Sequence, residues 1–184
     1  MSDEHGRCIV ATARDTANYF LTVQTPENDI TNLKLQKLCA YAQAMSLALL
    51  GRPLFDDEIE AWMHGPVVSS LYDAYEGYGS SPLPAPGLSR HYAREPFDDE
   101  QKFILELVDS YYGSFSAWTL RERSHRDFPG TFGSKEIISQ DSIREAFSKD
   151  QTVVKLRKMR DNATAYVSTE RLVSEEEVMN ALGF

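Results

Sequence analysis

The sequence predicts a mainly α-helical protein, a single compact helical domain of about seven to eight helices, with one short β element near residues 58–63 as its only departure from helix. Three observations lead there. Apolar residues recur at helical spacing in several separated stretches, a serine, threonine or aspartate heads most of them, and glycine or proline closes them. A chain of 184 residues can bury a sizeable core, and 42% hydrophobic with 26% charged residues is ordinary for a globular protein.

Val10, Ala13, Ala17, Phe20 and Leu21 share one helical face, which predicts a first helix over about residues 7 to 23, ended by Thr25-Pro26. Thr31 offers a capping oxygen for a second helix with the stripe Leu35, Leu38, Ala42, Met45 and Leu49 and a stop at Gly51. Its apolar run from Leu38 to Leu50 is broken by Gln43 and Ser46 and is shorter than the roughly 20 residues that a membrane helix requires, so it reads as a buried central helix. Arg52-Pro53 turns the chain. Glu58 to Met63 then alternates apolar Ile59, Ala61 and Met63 with Glu58, Glu60 and Trp62, the pattern of a half-exposed strand, irregular extended chain being the alternative. Gly65-Pro66 reads as a helix start, since proline at the first helical position gives up an N–H that would have had no intrahelical partner. Val68, Leu71, Tyr72 and Tyr75 give this third helix an aromatic inner face, and Gly77 and Gly79 close it.

Residues 80 to 96 hold four prolines and no periodic apolar pattern, and so form an extended loop, a length more often met in contact-making segments than in idle ones. Asp98 with Gln101 makes a capping pair for a helix with the face Ile104, Leu107, Val108 and Tyr111, ending at Gly113. Ser116 caps a segment running to about Arg126, and Ser139 a short one carrying Ile143, Ala146 and Phe147. Beyond Asp150, Leu156, Met159, Ala163, Tyr166 and Val167 keep helical spacing, and Ser174 with Glu177 forms a capping box. The predicted organisation is a domain over 1–150 and a C-terminal helical extension, 151–184, packed on it.

Charge and motifs narrow the function. A formal charge of -9 argues against a general nucleic-acid binder, which needs a basic surface, and fits a basic partner. KLRKMR at 155–160 reads as the wet side of an amphipathic helix. Cys8 and Cys39 form no C-x-x-C pair, and His5, His64, His91 and His125 form no ligand pair, so neither metal nor cofactor is expected. The chain has no G-x-S-x-G elbow, no phosphate-binding loop and no G-x-G-x-x-G, and Ser124-His125 adjacency is no sign of a triad, whose members meet in space. The expectation is a protein that is not an enzyme. The start MSDEHGRC lacks the basic and apolar regions of a secretory signal, and the expected location is the cytoplasm.

Several separated motifs occur in a fixed order: LKLQKL with YAQ in the second helix, LF followed by IEAW, then GPVV with LY and Y. Together they resemble the Panacea domain of SocA-like antitoxins and GepA-like phage-associated proteins, over about residues 14 to 150. The later part of that pattern is partly present, as Leu120, Ser124-His125 and Glu136-Ile137-Ile138, with Gly130 where the family has tryptophan after proline. The resemblance implies the antitoxin of a type II toxin-antitoxin pair, neutralising a cognate toxin protein encoded by the adjacent gene through stoichiometric binding. Because it begins within the first 15 residues, no preceding DNA-binding domain is expected. It leaves open masking of the toxin or delivery to a protease, and a phage-associated accessory protein is the alternative, ahead of an enzyme or nucleic-acid binder.

Contact residues are sought off the apolar stripes, because exposed aromatics dominate binding hot spots. Most of the aromatics Tyr41, Trp62, Tyr72, Tyr75 and Tyr78 are expected in the core, Tyr72 and Tyr75 because they share a face with Val68 and Leu71, whereas Trp62 and Tyr78 fall off the main stripes. Asp56 and Asp57 offer negative charge beside Trp62, and His64, Gly65 and Pro66 form the turn that follows it. These seven residues are the predicted partner-binding set.

Overall fold

Helix α2, Asn32–Leu49, is the axis of the molecule. The Thr31 hydroxyl accepts the Lys34 N–H, satisfying one of the orphan donors at the helix start. Every residue of α2 except Leu33 is buried, so it is the buried central helix that its apolar run predicts, enclosed on all sides and not only along its stripe. The computed structural model describes residues 11–86 and 96–158.

Around that axis pack α1 (Ala13–Val23), α3 (Ser69–Tyr75), α4 (Asp99–Tyr112), α5 (Ala117–Asp127) and α6 (Gln140–Ser148), with residues 151–158 also helical. The predicted mainly α class is the observed one, and the predicted caps are largely in place. Asp98 and Gln101 form a reciprocal capping box on α4, and the Ser116 and Ser139 hydroxyls accept N–H groups of α5 and α6. The start of α1 lies at Ala13, where Thr12 and Asp15 make a capping box that the sequence reading passes over. Near the middle of α2, Tyr41 stacks on Tyr112 at 4.0 Å between ring centres and meets Phe128 and Phe147 edge-on, while its hydroxyl donates to Asp127 at 2.7 Å. Burial and the Asp127 carboxylate both hold the Tyr41 phenol above its usual range.

Between α2 and α3 the chain forms a small antiparallel hairpin, β1 (Glu60–Trp62) and β2 (Gly65–Val67), in the register Glu60↔Val67, Ala61↔Pro66, Trp62↔Gly65. The strand expected near 58–63 is therefore present, shortened to three residues, but Gly65-Pro66 does not start a helix. Ala61 explains why. Its N–H donates to Glu136 O and its carbonyl accepts from Gly133 and Lys135, so its backbone faces the segment after α5 and asks nothing of Pro66. A proline costs no ladder bond at such a position, and α3 begins three residues later, at Ser69.

Polar side chains of α2 hold this connection. Gln43 accepts from the N–H groups of Leu54 and Phe55 and donates to Phe55 O at 2.8 Å. Gln36 accepts the Val68 N–H at 2.9 Å, and Lys37 Nζ donates to Pro66 O at 2.8 Å. Both edges of the hairpin are thereby occupied, one by residues 133–138 and the other by α2 side chains.

Val153 and Leu156 join the core, and Arg157 reaches Ala48 O at 2.5 Å. Met159, Ala163, Tyr166 and Val167, the capping box at Ser174, residues 7–10 of the first helix and residues 87–95 of the proline-rich loop lie outside the described residues.

Candidate partner-binding site

The tip of the hairpin is the two-residue turn Met63-His64, both exposed, closed by Gly65 at φ +95°. Only glycine fits there. A Cβ at position 65 would lie 2.5 Å from the Ser124 hydroxyl oxygen and within 3.2 Å of the end of Lys37, besides requiring a backbone conformation that L residues avoid. From α5, His125 reaches the tip, with Nε2 3.1 Å from Met63 O and Nδ1 2.8 Å from Arg121 O, and its ring packs on Phe132.

Strand alternation sends Ala61 into the core and turns Glu60 and Trp62 outward. The indole N–H of Trp62 donates to Glu60 at 2.8 Å, its ring lies 4.9 Å from that of Tyr72 on α3, and the Lys135 ammonium stands 4.7 Å above it. Between this group and the start of α2 lies a cleft of about 440 Å³. Asn32 and Gln36 line its floor and are already engaged: Asn32 donates to Tyr72 O and accepts from Gln36. Met63, His64 and Glu76 stand at the rim. Met63 is 64% exposed, and Ile137, paired across from Glu60, is 57% exposed, so an apolar margin continues the cleft onto the surface.

Of the seven residues singled out in the sequence, Trp62 and His64 line this cleft. Gly65 and Pro66 are buried behind it and shape the turn rather than its surface. Asp57 is half-buried and accepts the Ala13 N–H and the Ser70 hydroxyl, which makes it an anchor for the start of α1. Asp56 is exposed and Tyr78, packed on Tyr75, is 45% exposed, but neither lines the cleft. Tyr72, assigned to the core by its stripe, is instead half-exposed as a wall of the site. Glu76 and Lys135 escape sequence reasoning because nothing local marks them: the fold brings them to Trp62 from α3's end and from beyond α5.

Among the described residues no group of three or more His, Cys, Asp or Glu side chains could hold a metal, and no helix is long and apolar enough to cross a membrane. On α5, Arg121 pairs with Glu122, and Arg123 lies against the rings of Tyr111, Tyr112 and Phe115 at 5.0 to 5.5 Å.

The sequence model of the family described as antitoxin SocA-like, Panacea domain, matches residues 35–129, just over half of the chain. The chain belongs to that family. The match falls inside the span of 14 to 150 expected from the motifs, and takes in most of α2, the hairpin, α3, α4 and α5. No curated protein and no solved structure matches the chain.

The motifs of this Panacea domain turn out to be one another's partners. Gln36 and Lys37 of LKLQKL bond to Val68 and Pro66 of GPVV, and Gln43 of YAQ bonds to Leu54-Phe55 of LF. Gly130, where the family pattern has tryptophan, adopts φ +115°, so the loop after α5 is here built around a glycine conformation.

Proposed function

We propose that this Panacea domain is an antitoxin that binds a cognate protein toxin, encoded by the adjacent gene, and neutralises it stoichiometrically in the cytoplasm without turning over a substrate. The observation that carries this reading is the cleft face itself. An aromatic anchor, Trp62, stands among exposed apolar Met63 and Ile137 and the charged groups Glu60, Glu76 and Lys135, the mixture that concentrates binding energy at protein interfaces. The floor beneath is hydrogen-bonded within the protein, so the face is held in shape before a partner arrives, and little ordering cost falls on association.

Co-expression with the neighbouring gene product tests the reading. The expected result is rescue of growth from a toxic neighbour together with co-purification of a complex. Met63→Glu, at an exposed turn position, weakens that complex without shifting the melting temperature of the free protein. Trp62→Ala costs about 2 kcal/mol of binding, a factor of roughly 30 in affinity. A neighbour that is harmless alone, or is neutralised equally well by Met63→Glu, refutes the role or the face respectively. Capture of the toxin together with a protease, and its faster degradation, would assign the delivery mechanism in place of masking.

A further inference from the structure

We propose that the cleft beside Trp62 receives a basic side chain of the protein partner, a guanidinium by preference, and that Lys135 occupies its place in the free protein. The source of that side chain rests on the partner-binding reading above; the recognition itself is a property of the cleft.

The Trp62 ring face already holds a cation, the Lys135 ammonium at 4.7 Å, and the Tyr72 ring supplies a second aromatic wall 4.9 Å away. Lys135 is well suited to be displaced. Its backbone is fixed, with its N–H donated to Ala61 O, in a left-handed conformation at φ 60°, the one non-glycine residue of this kind among the described residues. Its side chain is exposed, and the described residues give it no ion pair. Among the described residues, removing the ammonium from the ring therefore breaks no side-chain hydrogen bond.

Charge points the same way. Glu60, whose carboxylate is anchored by the Trp62 N–H, and Glu76, exposed at the rim, stand against the single positive charge of Lys135. An incoming cation meets an electronegative ring face flanked by two carboxylates, and the net charge of -9 steers basic partners towards the protein as a whole. Asn32 and Gln36 are committed to Tyr72 O, to Val68 N–H and to each other, so a neutral ligand that depends on hydrogen bonds finds the floor already engaged. A guanidinium is favoured over an ammonium because it is planar, stacks on an indole and gives up water more readily.

The chain has two tryptophans, and Trp118→Phe leaves Trp62 as the only indole reporter. Acetyl-arginine amide is titrated into that variant while the emission is followed, with acetyl-citrulline amide as a neutral probe of the same shape. The expected result is a saturable change with the arginine probe and binding about 5-fold weaker with citrulline. Lys135→Met strengthens arginine binding by about 2- to 5-fold, the worth of an exposed cation–π contact, and Glu76→Gln weakens it. Equal response to both probes, no saturable response, or unchanged arginine binding in Lys135→Met overturns the proposal. If the arginine probe fails while a toxin is still neutralised, the side-chain preference falls and the antitoxin reading stands; if it binds and no toxin is found, the reverse holds.

Discussion

Lys37 is the one lysine enclosed at the centre of the fold, with no exposed surface, and its Nζ donates to Pro66 O at 2.8 Å. Burial, reinforced by the Arg121 guanidinium, lowers its pKa from 10.5 to about 7. At about 1.4 kcal/mol for each tenfold change in proton affinity, that lowering is worth on the order of 5 kcal/mol. Below about pH 7 Lys37 carries its proton in both states, and the folded protein bears the whole cost of a buried cation. From there to about 10.5 the folded protein has released the proton and the unfolded chain still holds it, so stability rises with pH. Between pH 7 and 9 the gain is about 2 kcal/mol. Lys37→Met abolishes this rise and leaves Pro66 O without its donor, a loss of about 1 to 3 kcal/mol that does not vary with pH. Urea denaturation followed by tryptophan fluorescence at a series of pH values separates the two effects. The stability difference between the proteins should move by about 2 kcal/mol in favour of the parent from pH 7 to 9. Parallel profiles would show that Lys37 titrates normally and would refute the reasoning.

Three further substitutions probe the same frame. Gly65→Ala places a methyl group against Ser124 in a left-handed backbone and should lower stability by about 2 to 3 kcal/mol in thermal or urea melts. Gln43→Leu orphans the N–H groups of Leu54 and Phe55 and the carbonyl of Phe55, and should cost about 3 kcal/mol or more, enough to reduce the yield of folded protein on expression. Tyr41→Phe removes the donor to Asp127 while keeping the ring stack on Tyr112, and should cost about 1 to 2 kcal/mol by denaturant melts.

Helix ends were legible in the sequence because their signals are local. The oxygens of Thr31, Asp98, Ser116 and Ser139 and the N–H groups they accept lie within three residues of one another, and the chain adopts the caps they announce. Pro66 was misread because Gly-Pro suits a helix start and a strand alike, and the choice is made by Ala61, whose backbone is taken up by residues 133–136, some seventy positions away. Lys37 gives no warning of burial, since a lysine in a helix ordinarily faces water. Half of the candidate site was visible for a related reason. Trp62 stands out as an aromatic off the stripes, but Lys135 and Glu76 acquire meaning only when the hairpin folds against them, and Tyr72 follows its stripe in sequence yet points half into solvent because α3 lies at the margin of the core.

The segment between α2 and α3 would be classed by its secondary structure as a connection carrying one small hairpin, the sort of element that opens independently of the rest. Its anchors make that impossible here. Leu54, Phe55 and Val68 give their N–H groups, and Pro66 its carbonyl, to side chains rooted in the most enclosed helix of the protein, so the hairpin cannot detach without exposing the amides and amine of α2. Hairpin and central helix form one cooperative unit. The amide protons of Leu54, Phe55 and Val68 should exchange with solvent only as fast as those of α2, and the cleft beside Trp62 should keep its shape until the whole domain unfolds.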